Sequence, residues 1–375
     1  ISHGERCHLI IISMKTPFCK VPFLVGYPVN DGRFRDCCVK HPSVYSDRNQ
    51  TFEQWWQGPQ LTEFRSKLWG TEFPKECWSC EVMEKQGERS LRMNVNEWPE
   101  TNYEHPMAWN IYFGNTCNLA CWSCNETLSS VTYRHKLKIG MITEPDTITE
   151  NFEQVWPGIQ ANILKSYEHH DTVTLTLLGG EPLYNPIVNK FLHELMDRGL
   201  AMRTKLEFHT NGTQYPDRML PMDKKVWKYI CMFISLDATG NYAEWLRYGC
   251  KWPMIENNIE RLKKASDYTE IHCTLSVLNI NYLHDLEQWA EQQGVTLKIT
   301  PTGYPDYIAL KHWDQPIDKL LVKDTHIKYQ QYYDIIGTEP KTGSSEKIKQ
   351  YIRKFDSVRK PLSDFDPVFA EQIGW

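Results

Sequence analysis

Short runs of β-branched and aromatic residues alternate along the middle of the chain with longer stretches whose apolar residues recur at helical spacing. The strand-like runs cover residues 107–113, 172–178, 205–209, 231–236, 271–277 and 295–300. The amphipathic stretches include FEQVWPGIQANILKSY, NKFLHELMDRG, NNIERLKKAS and YLHDLEQWAEQQG. Six such units predict parallel strands joined by crossover helices, and therefore an α/β sheet or a partial barrel.

The segments on either side of this alternating region have different patterns. Residues 14–100 contain the turn signal Asn30-Asp31-Gly32, which predicts a β-hairpin, and a helix-like stretch, EQWWQGPQLTEFRSKLW. Residues 303–375 are interrupted by prolines and otherwise have a mostly helical pattern. We expect a leader at 1–13 upstream of a natural start at Met14, an N-terminal module at 14–100, a core at 101–302 and a C-terminal extension at 303–375.

The composition narrows the class of protein. The chain has 375 residues, of which 41% are hydrophobic and 24% charged, and these values predict a soluble globular fold with a substantial core. Its net charge of −5 argues against nucleic acid or an anionic membrane as a partner. No apolar run approaches the ~20 residues that a membrane helix needs. We therefore expect a cytoplasmic protein whose twelve cysteines include metal ligands rather than disulfides.

Three of the cysteines lie close together directly after the first strand-like run. Cys117, Cys121 and Cys124 have the spacing C-x3-C-x2-C in GNTCNLACWSCNET, on a loop that lets three thiolates converge. Soft thiolates select zinc or iron–sulfur clusters. A closed structural zinc site needs four ligands, so three thiolates leave one coordination position open for a small molecule. The alternative is a zinc site that a distant Cys or His completes.

The second strand-like run ends in another informative segment, LLGGEPLYNP at residues 177–186. Gly179 and Gly180 let the backbone approach a ligand closely, and Glu181 can accept hydrogen bonds from an ammonium group. Alone, a GGEP turn is weak evidence. Together with the three cysteines it becomes specific, because both segments lie at the carboxyl ends of strands, where α/β folds place their chemistry.

These two motifs together resemble those of the radical S-adenosylmethionine (radical SAM) enzymes, and the resemblance covers roughly residues 107–300. It implies a partial (β/α)6 TIM-like barrel. It also implies that the three cysteines ligate a [4Fe–4S] cluster, whose remaining iron is chelated by S-adenosylmethionine (SAM). The GGEP segment ending at Pro182 then contacts the methionine amino group. The implied reaction is reductive cleavage of SAM to a 5′-deoxyadenosyl radical, which abstracts a hydrogen atom from a substrate.

Further positions match the same family at the ends of later strands. They are Asn211 in Thr210-Asn211-Gly212, Ser235 and Asp237, Arg247 in EWLRYG, and Asn279 shortly after Val277. The resemblance implies that Arg247 binds the SAM carboxylate and that Asn279 lies near the adenine. Two positions depart from the family pattern. Ala238 stands where glycine is common, and Ser123 stands where an aromatic residue usually packs beside adenine, with Trp122 one place earlier.

The N-terminal module holds a second group of cysteines. The Asn-Asp-Gly turn returns the chain so that Cys37 or Cys38 can lie near Cys19, and Cys77 and Cys80 follow as C-x2-C. Four thiolates of this kind suit zinc or a complete iron–sulfur cluster, and free thiols are the third alternative. The pattern resembles the twitch/SPASM auxiliary-cluster modules of radical SAM enzymes, in the arrangement that places the module before the core. Only one of Cys37 and Cys38 can be needed as a ligand. The position of Cys37, closer along the hairpin to the turn, favours Cys37.

The resulting hypothesis is a radical SAM enzyme with a second, auxiliary iron–sulfur cluster. It would need a low-potential electron donor such as a flavodoxin or ferredoxin, and a peptide, protein or small metabolite as substrate. The alternative from another class is a zinc-stabilised, non-catalytic binding or scaffold protein on a degenerate barrel. The two differ in metal content, because thiolate-bound iron–sulfur clusters colour a protein brown and zinc does not.

Overall fold

A computed structural model describes residues 17–40, 42–99, 101–215, 225–316, 319–320 and 329–374. The expected leader at 1–13 and Met14 lie outside the described residues. The chain divides into two compact units. The first contains the residues up to 114 together with 148–177 and 203–205, and the second contains 115–147, 178–202 and the residues from 206 onward. In the described part of the chain, no helix is both long enough and apolar enough to cross a membrane.

Parallel pairing dominates the main sheet of each unit, which confirms the predicted α/β fold. The described strands are β1 (Val25–Pro28), β2 (Phe34–Arg35), β3 (Ala108–Tyr112), β4 (Ala120–Cys121), β5 (Val173–Leu178), β6 (Thr204–Thr210), β7 (Tyr229–Ser235), β8 (Arg247–Tyr248), β9 (Tyr268–Leu275) and β10 (Thr296–Pro301). In the first unit the strand order is β5-β3-β1-β2, and in the second it is β10-β9-β7-β6. Each of the six strand-like runs in the sequence corresponds to one of these strands.

The hairpin predicted at Asn30-Asp31-Gly32 is present between β1 and β2. The two strands are antiparallel, with Tyr27 opposite Arg35, and Gly32 has a φ of +84°, in the left-handed region that favours glycine. Strand β1 also pairs in parallel with β3. The hairpin is therefore continuous with the sheet of the first unit, which no local sequence pattern indicated.

The helices alternate with the strands of the core as their periodicity predicts. The described helices are α1 (Val21–Leu24), α2 (Phe52–Trp56), α3 (Pro59–Lys67), α4 (Trp78–Lys85), α5 (Leu91–Asn96), α6 (Ser130–Lys138), α7 (Ile148–His169), α8 (Pro186–Asp197), α9 (Gly240–Leu246), α10 (Trp252–Ala265), α11 (Leu283–Gln292), α12 (Gln330–Tyr333), α13 (Ser344–Phe355) and α14 (Pro367–Gln372). On α8 the buried residues Val188, Phe191, Leu192 and Leu195 follow the i, i+3, i+4, i+7 spacing of one helix face.

The stretch EQWWQGPQLTEFRSKLW forms two helices, where the sequence analysis predicted one. Helix α2 ends at Trp56, and α3 begins at Pro59 with Gly58 as its N-cap residue. Proline has no N–H to continue the helix that precedes it, but its fixed φ suits the first position of a new helix. The break at Gly58-Pro59 is thus a local effect of the sequence.

A second, two-stranded sheet was not predicted. Strands β4 and β8 are antiparallel, with Ala120 opposite Tyr248 and Cys121 opposite Arg247. Each strand has only two residues, too few to show a periodicity. The pairing places one predicted metal ligand directly opposite one predicted SAM-binding residue.

Candidate functional site

The cysteines at 117, 121 and 124 lie on one loop, which residues at the start of α6 hold in place. The Cys117 N–H donates to Ser130 Oγ over 3.3 Å, and Ser129 Oγ donates to the Leu119 carbonyl over 2.5 Å. The Leu119 N–H in turn donates to the Cys117 Sγ over 3.5 Å. These bonds fix the first part of the loop, and the pairing of β4 with β8 fixes the part that contains Cys121.

All three thiols are shielded from bulk water, and this raises their pKa values. Each residue is partly exposed, but protein atoms surround each sulfur closely. Burial, followed by the charge of Cys121, raises the pKa of Cys124 to about 12. The same two causes raise the pKa of Cys117, and burial raises that of Cys121. Ionising these thiols at neutral pH therefore requires a positive partner, such as a metal.

The GGEP turn lies against the backbone of the cysteine loop. Gly179 and Gly180 have φ values of +83° and +53°. A Cβ on Gly180 would lie 2.1 Å from the Thr116 carbonyl oxygen, so only glycine fits there. The Glu181 N–H donates to that same carbonyl over 2.9 Å. A side chain at Gly180 would therefore push the two segments apart.

The buried carboxylate of Glu181 joins the ends of β5 and β6. One oxygen accepts from the Leu183 N–H over 3.0 Å and from Thr210 Oγ1 over 2.7 Å, and the other accepts from the Asn211 N–H over 2.6 Å. Burial raises its pKa to about 7, although these hydrogen bonds favour the ionised form. A carboxylate has about four acceptor positions, so one remains for a ligand.

Two other predicted residues end strands of the same sheet. Asn211 follows β6, and its Nδ2 donates to Asn118 Oδ1 over 3.0 Å and lies 4.0 Å from the Cys117 Sγ. Ser235 is the last residue of β7 and lies opposite His272 of β9. The structure thus ties Asn211, but not Ser235, directly to the cysteine loop.

Asp237 and Arg247 form a buried ion pair. Arg247 Nε lies 3.0 Å from Asp237 Oδ2, at an angle unsuited to a hydrogen bond. Arg247 Nη1 donates to the Cys121 Sγ over 3.6 Å. Burial alone would lower the pKa of Arg247, but Asp237 and then Cys121 raise it above its ordinary value. A permanent positive charge is therefore held against the cysteine loop.

A small cavity brings several of the predicted residues together. Its walls include Trp122, Ser123, Asp237 and Asn279. The amide of Asn279 is occupied by protein partners: its Oδ1 accepts from the Ser276 N–H over 2.7 Å, and its Nδ2 donates to the Asp237 carbonyl over 3.0 Å. Asn279 therefore shapes the cavity by holding its wall together.

In the first unit, Cys19, Cys37, Cys77 and Cys80 line a single cavity. Cys19 precedes α1, Cys37 follows the hairpin, and the remaining pair lies at the start of α4. Cys38 is not part of this lining. Its Sγ lies 3.6 Å from the Tyr27 hydroxyl, with which it shares a hydrogen bond. Of the two adjacent cysteines, Cys37 is the one that joins the other three.

The N-terminal thiols differ in their acidity. Burial is the largest effect on Cys19 and Cys77, and it raises the pKa of each to about 12. Hydrogen bonding with Cys37 lowers the pKa of Cys38 to about 6 and raises that of Cys37. Among the residues that the structure describes, no three His, Cys, Asp or Glu side chains are arranged to hold a single metal ion.

A group of residues in the C-terminal extension was not predicted from the sequence. Tyr351, Phe355 and Arg359 pack against Trp122, which directly follows Cys121. Because they are four residues apart, they lie on one side of helix α13 and of the segment that follows it. This spacing is the sequence feature from which they could have been predicted. No motif surrounds them.

No family model matches the chain, and no curated protein matches it. Several solved structures are similar. Native anSMEcpe with bound AdoMet shares 16% identity over 54% of this chain and 55% of that chain, with a TM-score of 0.37. Streptococcus suis SuiB shares 12% identity over 92% of this chain and 71% of that chain, with a TM-score of 0.35.

A further structure, SuiB bound to the precursor peptide SuiA, shares 14% identity over 84% of this chain and 65% of that chain, with a TM-score of 0.32. The match to native anSMEcpe spans about half the length of that protein. At these identities and TM-scores the similarity carries no information on activity.

Proposed function

We propose that this chain is a radical SAM enzyme, which uses a [4Fe–4S] cluster and SAM to abstract a hydrogen atom from a substrate. The observation that carries the proposal is the contact between its two motifs. Glu181 of the GGEP turn donates its N–H to the carbonyl of Thr116, the residue before Cys117. This hydrogen bond holds the glycine turn beside the loop that carries the three cysteines.

The residues of the loop fit a cluster of this kind. Thiolates are the usual protein ligands of iron–sulfur clusters. The Leu119 N–H and Arg247 Nη1 are aimed at the sulfur atoms of Cys117 and Cys121, and hydrogen bonds to sulfur stabilise and tune such clusters. Bound to these thiolates, the cluster would supply the electron for reductive cleavage of SAM at its C5′–S bond, which provides the hydrogen-abstracting species.

The residues around the loop can hold SAM itself. Glu181 keeps one acceptor position for an ammonium group after its three protein hydrogen bonds. Arg247 keeps N–H donors for a carboxylate, because a guanidinium carries five and its contacts with Asp237 and Cys121 leave most of them. The remaining residues proposed for SAM binding are Gly179, Gly180, Pro182, Asn211, Ser235, Asp237 and Asn279.

The N-terminal cysteines support a second proposal, that residues 14–100 are a twitch/SPASM-like module with an auxiliary cluster. Its ligands would be Cys19, Cys37, Cys77 and Cys80, which share one cavity. Four thiolates complete a cluster and leave no iron open, so its role would be to pass electrons or to hold the module. We expect a flavodoxin or ferredoxin as electron donor, and a peptide, protein or small metabolite as substrate.

Metal analysis of anaerobically purified protein tests the proposed function. We expect a brown protein with broad absorbance near ~400 nm and iron and sulfide for two clusters per chain. Replacing Cys117, Cys121 and Cys124 together by alanine should remove about one cluster's worth of iron. A colourless protein with stoichiometric zinc would contradict the proposal and favour the scaffold alternative.

A further inference from the structure

Arg359 is a buried arginine just beyond helix α13, in the C-terminal extension to which no chemistry was assigned. It is 6% exposed. Its Cζ lies 4.4 Å from the ring centroids of both Trp122 and Phe355, and 5.5 Å from that of Tyr248. Trp122 directly follows Cys121, and Tyr248 pairs with Ala120 across β4 and β8. The guanidinium is therefore enclosed between the extension and the cysteine loop.

The charge of Arg359 has no carboxylate partner within the described part of the chain. Its Nε donates to His135 Nδ1 over 3.3 Å, but its Nη1 is buried without a hydrogen-bond acceptor. Burial lowers the pKa of Arg359 to about 10, so the side chain stays charged at neutral pH. His135 is neutral there, because burial and then Arg359 lower its pKa to about 4.

A buried charge without a counter-charge is costly. The other buried arginine of this site, Arg247, is compensated by Asp237. Arg359 interacts electrostatically with Tyr351 first, and then with Cys121, Tyr248 and Cys124. Of these, Cys121 and Cys124 belong to the cysteine loop. Those groups become permanently anionic only when a metal replaces their protons.

We propose that Arg359 is the counter-charge of the metal–thiolate centre at Cys121 and Cys124, so that the C-terminal extension tunes the reduction of that centre. This inference rests on the proposed function. Reduction transfers one electron from an external low-potential donor to the cluster, and no bond forms or breaks. A fixed positive charge stabilises the more negative, reduced form. Arg359 is thus a positioning residue that raises the midpoint potential and strengthens cluster binding.

The midpoint potential of the cluster, measured without SAM in dithionite titrations of the full chain, tests this role. Two clusters are expected per chain, and the potential that is absent from Cys121→Ala belongs to the cluster at the cysteine loop. We expect Arg359→Gln to lower it and Arg359→Lys, which keeps the charge, to retain it. Lys360→Gln is the matched control: this neighbouring lysine is exposed, so water and salt screen its charge and the potential should not change.

Thermal unfolding of the loaded and metal-free chains provides a second readout that does not depend on activity. If Arg359 compensates the centre, Arg359→Gln should lower the Tm of the loaded chain more than that of the metal-free chain. Equal losses in both forms, or an unchanged potential, would show that Arg359 only packs against Trp122 and would overturn the inference.

Two further outcomes separate this inference from the proposed function. Weaker SAM binding by Arg359→Gln at an unchanged potential would assign the arginine to the SAM carboxylate, and would also overturn the inference. A wild-type chain that binds no iron at Cys117, Cys121 and Cys124 would overturn the proposed function itself. Loaded wild-type protein with no effect of Arg359→Gln would overturn the Arg359 inference alone.

Discussion

Cys121 and Arg247 lie opposite one another in the two-residue pairing of β4 with β8, and Arg247 Nη1 donates to the Cys121 Sγ over 3.6 Å. The two residues are 126 positions apart in the chain. Arg247 also forms the buried ion pair with Asp237. One guanidinium therefore connects the cysteine loop to the residues that follow β7, and its loss should affect both stability and ligand binding.

Arg247→Met should destabilise the protein, because it leaves the Asp237 carboxylate buried without a counter-charge. We expect the free energy of unfolding to fall by about 3–5 kcal/mol, measured by chemical denaturation of the metal-free chain. Asp237→Leu in the same chain should recover much of the loss. The control is Lys251→Met, which breaks the pair of Lys251 with Glu244. Because Lys251 is 72% exposed, that change should cost less than about 1 kcal/mol. Equal effects of the two substitutions would argue against a buried pair.

Gly180→Ala should separate the GGEP turn from the cysteine loop. The added Cβ would meet the Thr116 carbonyl oxygen at 2.1 Å, in addition to the cost of a left-handed backbone. Gly294→Ala is the matched control, since Gly294 has a φ of +63° but no atom within 4 Å of an added Cβ. We expect the control to lose roughly 1–2 kcal/mol of stability, and Gly180→Ala to lose more and to bind less iron. Equal losses would show that the contact with Thr116 can relax.

Glu181→Ala should weaken SAM binding without removing the cluster. A charge-assisted hydrogen bond contributes about 1.5–3 kcal/mol, so we expect the Kd for SAM to rise roughly tenfold to a hundredfold. Iron per chain should not change. Isothermal titration of the anaerobic, loaded chain measures the affinity, and an unchanged Kd would remove Glu181 from the SAM site.

The raised pKa of Glu181 predicts a pH dependence of stability in the metal-free chain. Its pKa is about 7 when folded, against an ordinary value of 4.5. Between these two pH values the folded state keeps the proton on Glu181, whereas the unfolded state has released it. The protonated carboxyl therefore stabilises the folded state fully below about pH 4.5, and this stabilisation is lost as the pH rises through about 7. The free energy of unfolding of the wild type, relative to Glu181→Gln, should therefore decrease between about pH 5 and about pH 8. A difference that stays constant with pH would contradict the shifted pKa.

The two adjacent N-terminal cysteines should behave differently. Cys37 shares a cavity with Cys19, Cys77 and Cys80, whereas Cys38 bonds to the Tyr27 hydroxyl. Cys37→Ser should therefore lose about one cluster's worth of iron and sulfide per chain, and Cys38→Ser should retain it. The opposite asymmetry in anaerobic metal analysis would show that Cys38 is the ligand.

Much of the core could be predicted from the sequence because its signals are local. The apolar periodicity of each strand and helix lies within one segment, as in α8, where Val188, Leu192 and Leu195 share a buried face. The GGEP and cysteine motifs are also contiguous in the chain. Patterns of this kind can be recognised without knowledge of which distant residues are in contact.

The features that escaped prediction depend on residues distant in the chain. Strands β4 and β8 have two residues each, and they pair residues that lie more than a hundred positions apart in the chain. In the sequence Arg359 has the features of an exposed basic residue, and only the structure shows that it is buried against Trp122. The choice between Cys37 and Cys38 likewise depends on which side chain faces the shared cavity.

Formation of 5′-deoxyadenosine from SAM tests the central claim most directly. The reconstituted, anaerobic chain is incubated with SAM and dithionite, and the product is quantified beside iron per chain. The wild type should form 5′-deoxyadenosine. Cys231→Ala should form it too, since Cys231 is a buried strand residue outside both cysteine groups. The triple variant with alanine at 117, 121 and 124 should form none and keep only the N-terminal iron. Wild-type amounts of 5′-deoxyadenosine from the triple variant would contradict the account.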